Sequence, residues 1–99
     1  MPKILIIEDE ETIRRVLIKV LHQEDKQYEI IEAVDGVDGV SKINSNKFDL
    51  ILCDIKMPKK DGIEVLRHIL KECPSTPTIM ISGHGDLETA VESMRLGAF

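Results

Sequence analysis

Apolar residues in this chain follow two alternating spacings. Ile4-Leu5-Ile6-Ile7 is an unbroken apolar run, the mark of a strand covered on both faces, and it stops at the acids Glu8-Asp9-Glu10-Glu11. The period then changes. Ile13, Val16, Leu17, Val20 and Leu21 fall at i, i+3, i+4, i+7 and i+8, which predicts a helix over about residues 10–23 with one buried face. The same pair of signals recurs three times: Glu29 to Val34 then Asp35 to Ile43, Phe48 to Cys53 then Asp61 to Lys71, and Thr78 to Ser82 then Asp86 to Arg95.

Strands joined by helices are parallel and cross over right-handedly, so the repeated unit predicts an α/β fold with helices on both faces of the sheet. The second strand segment, Tyr28-Glu29-Ile30-Ile31-Glu32-Ala33, carries charges within it and is expected at an edge. The closing Gly97-Ala98-Phe99 reads as the approach to a further strand, so the end is expected to be a cut rather than a natural terminus. Gly36 and Gly39 are expected to be turn residues at the entry to the second helix.

Composition narrows the picture. Ninety-nine residues, 42% hydrophobic and 31% charged, suit one soluble domain over 1–99 that buries roughly 60–70% of its unfolded surface. A formal charge of −5 argues against direct binding of nucleic acid. Two cysteines, Cys53 and Cys73, in or beside apolar runs fit a reduced, cytoplasmic compartment. No apolar run approaches a membrane span, and no secretory leader pattern follows Met1.

In an open parallel sheet, ligands bind beyond the carboxyl ends of the strands. Glu8 and Asp9 stand at the end of strand one, Asp54 at the end of strand three, and Ser82-Gly83-His84-Gly85 at the end of strand four. If strands one and three are neighbours, three carboxylates converge, and their repulsion calls for a cation such as Mg²⁺, which takes hard oxygen ligands. A plainer reading competes: Asp9 as a helix cap, with Glu10 and Glu11 in the positive first turn. It leaves Glu8 and the isolated Asp54 unexplained.

Other signals reduce to structure. Gly83-His84-Gly85-Asp86-Leu87-Glu88 opens like a dinucleotide fingerprint, but Glu88 stands where the third glycine belongs. His22, His68 and the cysteines lack metal-ligand spacing.

Glu8-Asp9-Glu10, the segment from Phe48 to Gly62 with its Asp54-Ile55-Lys56-Met57-Pro58-Lys59-Lys60-Asp61-Gly62 run, Ser82 to Asp86, and Arg95 to Phe99 together resemble the receiver domain of bacterial two-component response regulators. Ser82 to Phe99 looks most like the receivers of sigma-54-dependent, nitrogen-regulation-type activators. The resemblance implies the flavodoxin-like (CheY-like) doubly wound sheet, order 2-1-3-4, with the family's fifth strand and helix missing from this chain. It implies Asp54 as phosphoryl acceptor, Asp9 as a direct Mg²⁺ ligand, Glu8 acting through water, and the Lys56 carbonyl as a further ligand. Ser82 would hydrogen-bond the phosphoryl group and His84 would modulate its lifetime. The implied partners are a sensor histidine kinase or phosphotransfer protein and an output domain, transcriptional in kind, with no membrane and no direct nucleic-acid contact.

The family's phosphoryl-contacting Lys and switch aromatic have no counterpart up to Phe99. An uncovered strand-four edge and helix-one stripe then predict self-association or a poorly ordered C-terminal end. Two other classes compete: a phosphorylation-independent interaction domain, and a Mg²⁺-dependent aspartyl phosphatase suggested by Asp9-Glu10-Glu11-Thr12, in which Glu11 stands where that motif has Asp. The expectation is a signalling module rather than an enzyme.

Overall fold

The structure, a computed structural model, describes residues 2–55 and 62–81. Its elements are β1 (Lys3–Ile7), α1 (Glu11–Glu24), β2 (Glu29–Ala33), α2 (Gly36–Ser45), β3 (Leu50–Asp54), α3 (Gly62–Glu72) and β4 (Thr78–Ile81). The four strands form one sheet in the order β2-β1-β3-β4, every pairing parallel. β2 lies at an edge, as its embedded charges predict. The helix expected over Asp86 to Arg95 lies outside the described residues.

The two central strands have apolar side chains on both faces, and strand pleating sorts them into two cores. Ile4, Ile6, Leu50 and Leu52 pack with Leu17 and Leu21 of α1. Leu5, Ile7, Ile51 and Cys53 pack with Ile43 of α2 and with Val65 and Ile69 of α3. All eight of these strand residues are at most 2% exposed, so β1 and β3 are the fixed frame of the molecule. β4 is half-buried along its length, with Ile79 and Ile81 against the first core and Met80 against the second.

Several local expectations change. The buried positions of α1 are Arg14, Leu17 and Leu21, while Ile13 (39%) and Val16 (49%) are exposed. Helix phase explains it: positions 14, 17 and 21 share a stripe, and 13 and 16 fall beside it. Asp9 is not the cap of α1. Glu10 holds that position without a side-chain bond, and the Glu8 carboxylate accepts from the Glu10 N–H at 3.2 Å.

Strand three begins at Leu50 rather than Phe48; just before it, the Asp49 N–H donates to the Lys3 carbonyl and its carboxylate accepts from the Lys3 N–H. Gly36 and Gly39 lie within α2 behind the Asp35 cap, which accepts from the Asp38 N–H at 2.8 Å. Gly39 packs on Ile7, where an added Cβ would meet the Ile7 side chain at 2.7 Å, so close helix–sheet approach and not a turn requires it.

Candidate functional site

β1 and β3 are hydrogen-bonded neighbours in register, Ile7 opposite Cys53. Both strands therefore end at the same level, and the next residues, Glu8 and Asp9 after β1 and Asp54 closing β3, meet at the carboxyl edge. One carboxylate oxygen from each of Glu8, Asp9 and Asp54 lies within 4.8 Å of the others. The three differ in surroundings: Glu8 is 4% exposed, Asp54 half-buried and Asp9 exposed. Burial foremost, then a hydrogen bond with Asp9, pushes the Glu8 carboxyl up to about 8, the Glu10 N–H lowering it in part and the nearby Asp54 adding a smaller rise. Closely spaced oxygens of this hardness fit Mg²⁺ better than a nitrogen- or sulfur-seeking metal.

The backbone around the acids is held tightly. The Glu8 N–H donates to the Ala33 carbonyl of β2 at 3.1 Å, continuing the ladder one residue beyond β1. On the other side, the Gly62 N–H donates to the Ile55 carbonyl at 2.9 Å. A Cβ at Gly62 would lie 2.3 Å from the Asp54 carbonyl oxygen and 2.6 Å from the Ile55 Cα, so α3 starts directly against the main chain of the third acid.

Of the residues singled out from sequence, Glu8, Asp9 and Asp54 are thus brought together. Lys56, Ser82 and His84 lie outside the described residues. One residue was missed. Arg14 is buried, and its Nη1 donates to the carbonyls of Glu8 at 2.9 Å and Asp9 at 3.3 Å, while Nε pairs with Glu32 at 3.1 Å. One of two adjacent arginines in an amphipathic helix carries no sequence signal of this kind. An open groove of about 840 Å³ at the amino end of β3, lined in part by Phe48, Asp49 and Cys73, lies at the opposite end of that strand from the acids.

A doubly wound parallel sheet with clustered carboxylates at its carboxyl edge defines a class of cation-competent α/β domain. The profile described as response regulator receiver domain matches residues 4–99, and the chain belongs to that family. It is 41% identical over 95 residues to the transcriptional regulatory protein ResD of Bacillus subtilis, covering 96% of this chain and 38% of that protein. NtrX from Brucella abortus is similar at 36% identity and a TM-score of 0.75, over 99% of this chain and 22% of that one.

The response regulator protein TrrA from Thermotoga maritima, solved in complex with Mg²⁺-BeF, is 32% identical with a TM-score of 0.79, covering 95% of this chain and 80% of that one. A structure of histidine kinase ThkA in complex with TrrA matches at 35% identity and a TM-score of 0.76, over 85% of this chain and 72% of that one. The fold is the CheY-like receiver fold. The chain spans well under half the length of the curated relatives it matches. No helix among the described residues is long and apolar enough to cross a membrane.

Proposed function

We propose that this receiver domain accepts a phosphoryl group on Asp54 from the phosphohistidine of a sensor kinase or phosphotransfer protein, and that the modified domain controls an output domain of transcriptional type in the cytoplasm. The observation that carries the reading is the meeting of Glu8, Asp9 and Asp54 within 4.8 Å at the ends of two adjacent strands. Asp9 and Asp54 would hold Mg²⁺ directly together with the Lys56 carbonyl, and Glu8 would act through water. When bound, Mg²⁺ neutralises charge on the oxygens of the transferring group.

The chain's own residues do the rest. A carboxylate oxygen of Asp54, aimed out of the sheet by the rigid β3, attacks phosphorus; the new P–O bond forms as the P–N bond to the imidazole breaks. The departing nitrogen leaves with its electron pair and the donor histidine becomes neutral on its own side of the interface. Ser82 would donate its hydroxyl to the transferred group, and His84, two residues on, would modulate attack of water on the acyl phosphate.

Intact-mass measurement after incubation with a small acyl-phosphate donor tests the assignment. Wild type should gain one phosphoryl group only with Mg²⁺ present, and Asp54→Asn should gain none. Equal uptake by both proteins would overturn it.

A further inference from the structure

Arg14 breaks the pattern of its helix. The amphipathic repeat of α1 buries apolar residues, yet a guanidinium 9% exposed occupies the buried stripe while Ile13 and Val16 face solvent. A buried charge is costly unless paired and hydrogen-bonded, and local departures of this kind concentrate where function demands them. Helical side chains lean toward the helix N-terminus, so the Arg14 side chain points back from the first turn over the Glu8–Asp9 segment before the helix. There it grips main chain: the carbonyls of Glu8 and Asp9 accept from Nη1 at 2.9 and 3.3 Å.

The Nε end is anchored as firmly. Glu32 of the edge strand accepts it at 3.1 Å, and the Glu32 carbonyl in turn accepts from Lys42 Nζ. Lys42 also pairs with Asp38 at 3.1 Å, whose carboxylate accepts from the Val34 N–H at 3.0 Å. A continuous chain of bonds thus runs from α2 through β2 to the acidic loop.

We infer that Arg14 is a positioning residue of the acidic site: by fixing the carbonyls of Glu8 and Asp9 it sets where their two carboxylates stand for a divalent cation. This rests on the reading of the acids as a Mg²⁺ site. Only a planar guanidinium reaches both carbonyls and Glu32 at once, whereas a lysine is a single point of charge.

Titration calorimetry with Mg²⁺ on the 99-residue protein tests it, with the amide resonance of Glu10 as a second readout, since that N–H donates to the Glu8 carboxylate. Arg14→Gln should weaken Mg²⁺ about 10- to 100-fold, as loss of an outer orienting group does, and should move the Glu10 resonance without any metal. Arg14→Lys should recover part of the loss, and Glu32→Gln should fall between wild type and Arg14→Gln. Leu21→Ala, which destabilises the same helix far from the acids, should keep wild-type affinity. Wild-type affinity in Arg14→Gln, or an equal loss in Leu21→Ala, would overturn the inference; should Arg14→Gln fail to fold, wild-type affinity in both Arg14→Lys and Glu32→Gln would do so. If wild type itself binds no Mg²⁺, the metal reading fails, while an unmoved Glu10 resonance in the variants separately refutes the positioning role.

Discussion

Glu8, Asp9 and Asp54 share one edge yet meet different amounts of water, and that difference separates the roles proposed for them. Asp9 is exposed and Asp54 half-buried, so either carboxylate can ligate a cation that keeps several of its own waters; Glu8 is almost wholly buried behind them. Asp9→Asn and Asp54→Asn should therefore abolish measurable Mg²⁺ binding, and Glu8→Gln should only weaken it. A titration in which Glu8→Gln is the worst of the three would reverse the assignment. All three acids were legible in the sequence because each follows an apolar strand run, and parallel strands end at a common edge. Arg14 was not legible, because its partners are main-chain carbonyls, and periodicity marks side-chain faces rather than the reach of a guanidinium.

At the scale of elements, two glycines show how the sheet and helices are set against the site. Gly39 faces the far end of the Ile7 side chain, which can give way, whereas Gly62 faces the backbone of Asp54 and Ile55, which cannot. Gly39→Ala gains about 1 kcal/mol of helix propensity against its clash. Gly62→Ala should be the worse of the pair, costing about 1–3 kcal/mol as α3 is forced off the end of β3, and should weaken Mg²⁺ binding as well. Urea melts of both variants would check the order, and a Gly62→Ala protein as stable as wild type would contradict the close approach.

The strand-helix alternation itself was readable because β1 and β3 are apolar on both faces and the helices are not. The cap of α1 was not, since a neighbouring carboxylate, Glu8, takes the Glu10 N–H, and the apolar run from Phe48 carries no mark of where strand pairing begins at Leu50.

For the molecule as a whole, three acids meeting at one edge of a chain of net charge −5 mean that the fold carries repulsion there when no cation is bound. The Glu8 carboxyl is raised from 4.5 to about 8 in the fold, so the native state holds its proton more tightly than the unfolded chain does. The stability linked to that proton is complete below pH 4.5 and is lost as pH rises toward about 8. In chelator, then, urea melts should show wild type weakening across that window, and Glu8→Gln should flatten the slope. Asp9→Asn, which removes an exposed negative charge from this edge, should slightly stabilise the metal-free protein. Mg²⁺ favours the native state only where it binds, contributing about 2.7 kcal/mol at a hundred times its Kd. Wild type should consequently overtake Asp9→Asn as Mg²⁺ is added, because the acids that weaken the empty fold are those proposed to hold the ion. Parallel melting curves for the two proteins, with and without Mg²⁺, would show instead that the three carboxylates do not act as one site.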